Sequence, residues 1–238
     1  MISVCIATYN GAKYIKEQID SIITQLSEED EIIISDDCST DNTIEIINSF
    51  HDTRVKLYKN KLNKGFVGNF ENALSQAKGD YIFLSDQDDI WKSNKVRIVI
   101  KELQNCDLIV HNAELIDSTG NYLGKDYYSC LHNKTNFWTN LWKTRFLGCC
   151  MAFNRKVLES SLPFPNKIVA HDYWIGMYSL CKYQVKFIPD ILLSYRRHGN
   201  NVSQSSEKSN NSIYYKIFIK RLNLLVNLFL KYITSRSL

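Results

Sequence analysis

The stretch YIFLSDQDDIW, residues 81–91, decides the fold prediction because an apolar run ends there in a cluster of carboxylates. Residues 81–84 form a short aromatic and aliphatic run that predicts a strand. Asp86, Asp88 and Asp89 follow within four positions. Carboxylates this close together repel one another, so the sequence predicts a strand end that has a positive partner.

Before this stretch, short apolar runs that are typical of strands alternate with segments whose apolar residues have helical spacing. Further strands are predicted at residues 2–7, 31–35 and 55–59. Helical spacing of apolar side chains is found at residues 12–26, 40–48 and 70–77. Ser39 is expected to cap the second helix and Gly79 to end the third. Strands that alternate with helices over short links predict an α/β fold, built on one Rossmann-like, mostly parallel sheet flanked by helices.

The second half is less regular. Strands are predicted at residues 108–113, 148–153, 185–188 and 191–195, and a helix at residues 173–181. Residues 213–236 predict an amphipathic C-terminal helix whose narrow polar stripe consists of Lys216, Lys220, Asn223, Asn227, Lys231 and Thr234. This pattern fits a helix in a membrane interface, with its basic side chains near anionic lipid, and it also fits packing on the domain or a second subunit.

The composition sets wider limits. The 238 residues, 45% of them hydrophobic and with a net charge of +4, predict a soluble globular chain with a sizeable core. The mild charge permits anionic small molecules and does not indicate nucleic acid. Seven cysteines without a C-x-x-C spacing favour a reducing cytoplasm over a disulfide framework. Neither a signal peptide nor a membrane-spanning segment is predicted.

Polar motifs follow three predicted strand ends, at residues 7–10 (ATYN), 36–39 (DDCS) and 86–89 (DQDD). Ligands of parallel sheets bind at the carboxyl ends of the strands, so we expect these motifs to converge. An Asp-x-Asp sequence suits a hard divalent cation that also binds phosphate oxygens. A carboxylate of Asp36 or Asp37 can accept a hydrogen bond from a pyrimidine base or a ribose, and Tyr9 can stack on the base. Helix capping and simple solvent exposure remain the alternatives for the aspartates.

Four blocks together resemble the family-two inverting glycosyltransferases: ISVCIATYNGAKYIKEQIDSI, IIISDDCSTDNT, NKGFVGNFENAL and GDYIFLSDQDDIW. The resemblance is close over residues 1–92 and looser to about residue 203, through FLGCCMAFNRKVL, HDYWIGMYS and YRRHGNNVS. The last two segments resemble a subgroup that includes bacterial rhamnosyltransferases. The resemblance implies a GT-A fold over residues 1–205, with a nucleotide-binding half (1–92) and an acceptor-binding half (93–205), followed by a helical extension over residues 206–238.

The resemblance also implies roles for individual residues. Asp172 matches the general base of the family, although His171 stands where Glu is usual. The nucleotide would be bound by Ala7, Thr8, Tyr9, Asn10, Asp36, Asp37, Lys64, Asp86 and Gln87. A divalent cation, Mn²⁺ or Mg²⁺, would be held by Asp88 and His198. The donor sugar or its phosphates would be contacted by Asp89, Arg196 and Arg197, and the acceptor by Trp91, Gly148 and His171.

These roles imply a metal-dependent transfer from a UDP- or dTDP-sugar, with rhamnose favoured by the subgroup, to a lipid-linked saccharide of bacterial surface polysaccharide synthesis. Residues 213–238 would hold the protein on the inner face of the plasma membrane, and a homo-oligomer remains open. A catalytically inactive nucleotide-sugar binder or scaffold of the same pathway is the alternative. A pyrophosphorylase or a dehydrogenase would need a Gly-rich loop after the first strand, which residues 7–15 lack.

Overall fold

The computed structural model describes residues 1–128, 136–198 and 213–234. The strands are β1 (Ile2–Thr8), β2 (Glu31–Asp36), β3 (Val55–Lys59), β4 (Tyr81–Ser85), β5 (Ile90–Trp91), β6 (Leu108–Ile116), β7 (Tyr122–Asp126), β8 (Met151–Asn154) and β9 (Val185–Arg196). The α-helices are α1 (Ile15–Ile23), α2 (Thr43–Asn48), α3 (Gly65–Gln76), α4 (Lys95–Leu103), α5 (Phe137–Trp142), α6 (Arg155–Ser161), α7 (His171–Lys182) and α8 (Ile213–Thr234).

Within the described residues the strands form one sheet in the order β3-β2-β1-β4-β8-β6-β9-β5, and β7 pairs with β6. The first four strands in this order are parallel. Beyond β4 the sheet is mixed, because β8 runs antiparallel to both β4 and β6 while β9 runs parallel to β6. The expected α/β architecture is confirmed, with its parallel part confined mainly to the first half of the chain.

The central strands are buried on both faces because helices cover the sheet on each side. Val4, Ile6 and Ile33 have no exposed surface, which explains why the strands read as continuous apolar runs. Ile19 of α1 and Phe70 of α3 contribute their side chains to the same core. The sheet continues across residue 92, and the proposed boundaries at residues 92 and 205 stay a prediction.

Several local predictions differ from the structure. Helix α2 begins three residues later than expected and follows Asn42, so the prediction that Ser39 caps it is wrong. The two strands expected at residues 185–188 and 191–195 are one continuous strand, β9. The strand expected at residues 148–153 begins as a single 3₁₀ turn over Gly148–Cys150, named here the 148–150 turn, before β8 starts.

Helix α8 packs on the domain through two leucines and two basic side chains. Leu224 and Leu228 are buried, Lys231 donates to the Leu162 carbonyl at 2.9 Å, and Arg221 donates to the Leu141 carbonyl at 2.9 Å. The expectation that these two cations face lipid is therefore wrong. The apolar side points outward instead, and Phe229 is 64% exposed. No helix of the described segments is long and apolar enough to cross a membrane.

Candidate active site

The three polar motifs meet at the carboxyl edge of the parallel strands, as predicted. The Thr8 hydroxyl donates to Asp36 Oδ1 at 3.1 Å, which joins the ends of β1 and β2. Gln87, after β4, accepts from the Tyr9 amide at 2.9 Å and donates to the Tyr9 carbonyl at 3.1 Å. Asn10 has a φ of 49°, a left-handed conformation that Asn tolerates better than most residues. The pairing of strands in register brings the loops together, so the convergence follows from the sheet.

Asp36 and Asp37 hold the loops of this edge. The Asp36 carboxylate is 1% exposed and accepts from the amide and the hydroxyl of Ser39, at 2.9 and 2.5 Å. These bonds explain why Ser39 does not cap α2. Asp37 Oδ1 accepts from the Asn60 amide at 2.9 Å and from the Lys64 backbone at 2.8 Å, while the Lys64 side chain is exposed. Tyr9 is 49% exposed beside them, so its ring is available to a planar ligand.

Asp86, Asp88 and Asp89 form a cluster that we name the acidic knot. Asp88 is 9% exposed and Asp89 1%, while Asp86 is half-buried. Carboxylate atoms of Asp86 and Asp89 lie within 4.8 Å of each other and of the Cys149 sulfur. Asp89 Oδ1 accepts from the Arg196 amide at 3.0 Å, but its buried Oδ2 has no hydrogen-bond partner among the described residues.

The electrostatics of the acidic knot favour a bound cation. Burial, and then the charges of Asp88 and Asp172, raise the pKa of Asp86 to about 7. Burial raises the pKa of Asp89 well above its usual value, and the other two carboxylates add to this shift. The unpartnered Asp89 oxygen and the crowded carboxylates are the donor set that a hard divalent cation prefers. The residues present therefore fit such an ion, with oxygen ligands from the knot.

The segment at the end of β9 closes over the acidic knot. His198 Nε2 lies 2.7 Å from Asp88 Oδ2, so the structure brings together the two residues expected to share a metal. Arg196 is 2% exposed, and its guanidinium donates to the Asp88 carbonyl at 2.8 Å and to Glu17 at 2.6 Å. The expected contact of Arg196 with phosphate is therefore replaced by a contact that holds the knot, whereas the Arg197 side chain is exposed.

A buried lysine lies behind the acidic knot. Lys95, at the start of α4, is 1% exposed, and its ammonium donates to the Cys149 carbonyl at 2.9 Å. The same ammonium lies 4.0 Å from the centroid of the Trp91 ring. Trp91 is itself 3% exposed and packs against Phe83, so the structure does not bring it to the surface of the cleft as an acceptor contact.

Asp172 lies in the first turn of α7 with both carboxylate oxygens held by backbone amides. Tyr173 donates to Oδ1 at 2.7 Å, and Gly148 of the 148–150 turn donates to Oδ2 at 3.2 Å. Burial raises the pKa of Asp172 to about 6, although both hydrogen bonds oppose the shift. Because the charge of Asp172 also raises the pKa of Asp86, the two carboxylates lie within electrostatic reach of each other. A carboxylate with this pKa can take up a proton near neutral pH.

His171 is a neutral imidazole beside Asp172. It is 6% exposed, its ring stacks on Phe70 with 3.8 Å between centroids, and burial lowers its pKa to about 3. Neither ring nitrogen has a hydrogen-bond partner among the described residues. A Cβ on Gly148 would lie 2.8 Å from His171 Nε2, so this glycine leaves room for the imidazole. His171 and Gly148 therefore adjoin the base, as expected of acceptor residues, and their contact with an acceptor stays a prediction.

Sequence reasoning missed three residues that the site uses. Lys95 follows the acidic knot by six residues, but lysines are mostly exposed in proteins, so the sequence gives no signal that this one is buried. Glu17 anchors Arg196 across 179 residues of sequence, and no local signal indicates such a contact. Cys149 carries both a carbonyl that binds Lys95 and a sulfur near the knot, which its apolar surroundings in the sequence conceal.

Comparisons with known proteins agree with this geometry. The model described as glycosyl transferase family 2 matches residues 3–162. The chain is 30% identical over 184 residues to WfgD of Escherichia coli, a UDP-Glc:alpha-D-GlcNAc-diphosphoundecaprenol beta-1,3-glucosyltransferase, covering 74% of this chain and 68% of that protein.

Solved structures share the fold at low sequence identity. Staphylococcus aureus TarS in complex with UDP-GlcNAc matches with a TM-score of 0.74 and 20% identity, over 95% of this chain and 66% of that one. The mannosyltransferase PcManGT from Pyrobaculum calidifontis, in complex with GDP-Man and Mn²⁺, matches with a TM-score of 0.61 and 21% identity, over 98% of this chain and 64% of that one. The chain thus spans just under two thirds of either solved chain.

Proposed function

Because this chain belongs to glycosyl transferase family 2, we propose that it transfers a sugar from a UDP-sugar to a hydroxyl group of a lipid-linked saccharide, with inversion at the anomeric carbon. The position of Asp172 carries the proposal. It is a carboxylate fixed by two backbone amides, with a pKa of about 6, within electrostatic reach of the acidic knot. A single displacement needs a general base beside a site that stabilises a leaving diphosphate.

The nucleotide binds at the carboxyl edge of β1 and β2. Tyr9 offers an exposed ring on which a pyrimidine base stacks. The backbone from Ala7 to Asn10 frames one side of this pocket, and the buried Asp37 fixes the other side through its bonds to Asn60 and Lys64. Gln87 ties the pocket to the acidic knot through its two bonds to Tyr9.

The acidic knot and His198 would hold a divalent cation on which the donor diphosphate binds. We assign Asp86, Asp88, Asp89 and His198 as the residues that would hold it, with Asp89 also assigned to the donor sugar. When bound, the cation neutralises negative charge that builds on the leaving diphosphate. Mn²⁺ is supported by the PcManGT complex, and Mg²⁺ has the same preference for oxygen ligands.

Asp172 takes the proton from the acceptor hydroxyl as the acceptor oxygen attacks the anomeric carbon. The bond between that carbon and the diphosphate oxygen breaks on the opposite face, and the nucleoside diphosphate leaves with the bonding electrons. The amides of Gly148 and Tyr173 orient the carboxylate, since each donates to one oxygen. The neutral His171 precedes this base in α7, and its two ring nitrogens, which have no hydrogen-bond partner among the described residues, could bind a hydroxyl of the acceptor.

Relatives favour uridine as the donor base. WfgD is named for UDP-Glc, and TarS was solved with UDP-GlcNAc. A dTDP-sugar such as dTDP-rhamnose, favoured by the subgroup resemblance, is the second candidate. The transfer assay uses purified protein with UDP-Glc, UDP-GlcNAc or dTDP-rhamnose, Mn²⁺ or EDTA, and a GlcNAc-diphosphate lipid as acceptor. We expect a glycosylated lipid from one UDP-sugar, with product formation abolished by EDTA.

Two results of this assay would change the assignment. Product from dTDP-rhamnose alone would replace the donor and keep the mechanism. Donor binding without turnover, with lipid acceptors of several saccharide sequences, would favour the inactive nucleotide-sugar binder or scaffold.

The acceptor would be reached at a membrane surface through α8. The outward side of this helix carries Leu222, Val226 and Phe229, each at least 48% exposed, and Trp138 and Trp142 of the adjacent α5 are 73% and 77% exposed. Residues 136–147 and 213–234 contain no Asp or Glu, so an anionic bilayer meets no acidic side chain there. Exposed tryptophans beside aliphatic side chains suit the boundary between lipid headgroups and acyl chains. This arrangement supports a location on the inner face of the plasma membrane.

Sedimentation with vesicles tests this membrane contact. The full chain is expected to bind vesicles that contain phosphatidylglycerol, and the triple variant L222Q/V226Q/F229Q to stay in the supernatant. The variant N223Q, on the same helix but beside the domain contact, serves as the matched control. If the triple variant binds vesicles as well as the wild type does, or if it changes only the oligomeric mass, α8 packs against protein instead.

A further inference from the structure

Lys95 is a buried charged residue that has no role in the proposed reaction. Its side chain is almost completely buried, although a lysine inside a protein loses the solvation of its charge. Burial lowers its pKa to about 8, so the ammonium still carries a proton at neutral pH. A buried cation persists when opposite charges and hydrogen bonds compensate it. Here the compensation comes from the Cys149 carbonyl, the Trp91 ring and the charges of Asp86 and Asp89.

The partner of this ammonium belongs to a turn that also contacts both halves of the site. The Cys149 carbonyl accepts from Lys95 at 2.9 Å, and the Cys149 sulfur lies within 4.8 Å of carboxylate oxygens of Asp86 and Asp89. The preceding residue, Gly148, donates its amide to Asp172 at 3.2 Å. The 148–150 turn therefore connects Lys95, the acidic knot and the base through consecutive residues.

The turn is buried, and its backbone also carries a local bond. Its own closing bond runs from the Cys150 amide to the Leu147 carbonyl at 2.9 Å. The Gly148 amide bond is long for a donor to a carboxylate, so a small displacement of the turn is enough to lose it. Glycine at residue 148 leaves the turn without a side chain that could fix it against His171.

We propose that Lys95 is a positioning residue for the general base: by binding the Cys149 carbonyl, it fixes the 148–150 turn so that the Gly148 amide holds the Asp172 carboxylate. This proposal rests on the assignment of Asp172 as the base. It gives the acidic knot a positive neighbour that belongs to the chain itself. It also predicts that a substitution remote from the acceptor changes the protonation of Asp172.

The test compares the wild type with K95M, K95R and the control K92M. Methionine keeps an unbranched side chain at residue 95 and removes the donor and the charge. Lys92 lies three residues earlier and forms a part-buried ion pair with Glu114 instead of a bond to the Cys149 carbonyl. Each protein is assayed for kcat from about pH 5 to 8, which brackets the pKa of about 6 of Asp172, and for binding of the UDP-sugar with Mn²⁺ by calorimetry.

K95M is expected to lose ~10-fold or more in kcat, because the base is no longer held in its reactive orientation. The acidic limb of its pH profile should move to higher pH, since the Gly148 amide lowers the pKa of Asp172 and would be lost. Donor binding with Mn²⁺ should be kept, because removing the positive charge of Lys95 does not weaken the binding of Mn²⁺ to the acidic knot. K95R should recover part of kcat, and K92M should match the wild type.

Two outcomes overturn the proposal. One is an unchanged pH profile in K95M, and the other is a loss of donor binding together with kcat, which would make Lys95 a support of the knot alone. If K95M does not fold, G148A carries the test, because its added Cβ displaces the turn from His171; an unmoved acidic limb in G148A then overturns the proposal. A wild type without transfer activity, or without an acidic limb, would instead refute the proposed function itself.

Discussion

Two carboxylate sites lie side by side in this protein and differ in what surrounds them. The acidic knot places three carboxylates in one small buried volume, with His198 and Arg196 against Asp88. Asp172 stands alone at the start of α7, and neutral amides and a neutral imidazole surround it. Burial raises the pKa of carboxylates at both sites, but in the knot the neighbouring carboxylates add to the shift.

The difference indicates two uses of the same functional group. A divalent cation would relieve the repulsion within the knot, which is the use we propose for it. No opposite charge contributes to the raised pKa of Asp172, so its proton affinity is set by burial against hydrogen bonding. A site of that kind exchanges a proton instead of holding a metal. The two sites can therefore be separated by substitution.

The largest effect is expected from D172N. The amide keeps the shape of the side chain but cannot take the acceptor proton, so transfer should fall by about 10²- to 10⁴-fold. Binding of the UDP-sugar with Mn²⁺ should be unchanged, because the acidic knot is intact. Initial rates and calorimetry measure the two quantities, and the exposed Asp190, changed to Asn, is the control. Wild-type transfer by D172N would remove Asp172 as the base.

The second-largest effect is expected from D88A, which should affect metal-dependent donor binding. Loss of this carboxylate removes the partner of His198 and an assigned ligand, so the stabilisation of the protein by UDP-sugar with Mn²⁺ should disappear. A thermal-shift titration with and without EDTA measures it. D80A, whose carboxylate is 71% exposed, is the control. If the metal-dependent shift survives in D88A, the cation binds elsewhere in the knot.

The third effect is on the pH profile of the wild type. Asp172 must be ionised to accept a proton, so kcat should fall as the pH drops through about 6, where its carboxylate becomes protonated. The titratable groups that face it are Asp86, Tyr127 and His171, and His171 stays neutral in this range because burial lowers its pKa to about 3. Rates at saturating donor and Mn²⁺ from pH 5 to 8, about the range that brackets this pKa, measure the limb. A flat profile would contradict the assignment of Asp172 as the general base.

The sequence predicted the knot better than the surroundings of Asp172. Apolar strands that alternate with helices determine the carboxyl edge, so the positions of Thr8, Asp36 and Asp88 follow from local pattern and sheet geometry. The contact of Asp88 with His198 spans 110 residues, and only the resemblance to a known family suggested it. The Gly148 amide on Asp172 was not predictable, because a strand was expected where the structure has a turn.

The errors about these side chains share a physical cause. The spacing of apolar residues along the sequence does not show which distant part of the chain will pack over a given side chain. Lys95 begins an amphipathic helix and is buried because the 148–150 turn, more than 50 residues later, covers it. The basic residues of α8 were expected to face lipid, but Arg221 and Lys231 bind carbonyls of the domain and leave the apolar side outward. Ser39 was expected to cap a helix, and Asp36 competes for its hydroxyl.

The smallest effect expected is on stability, and it gives the comparison a test that needs no substrate. The folded-state pKa of Asp172 is raised, so its contribution to stability is fully present below about pH 4 and is lost as the pH rises through about 6. At about pH 7.5 the buried, ionised carboxylate therefore lowers the free energy of unfolding. D172N should raise that free energy by about 1 to 3 kcal/mol. Urea unfolding at about pH 4.5 and 7.5 should show D172N gaining over the wild type only at the higher pH. An equal difference between the two proteins at both pH values would mean that burial does not destabilise the ionised carboxylate. A gain confined to the higher pH would show that the group which makes the base effective also destabilises the fold, as active-site groups commonly do.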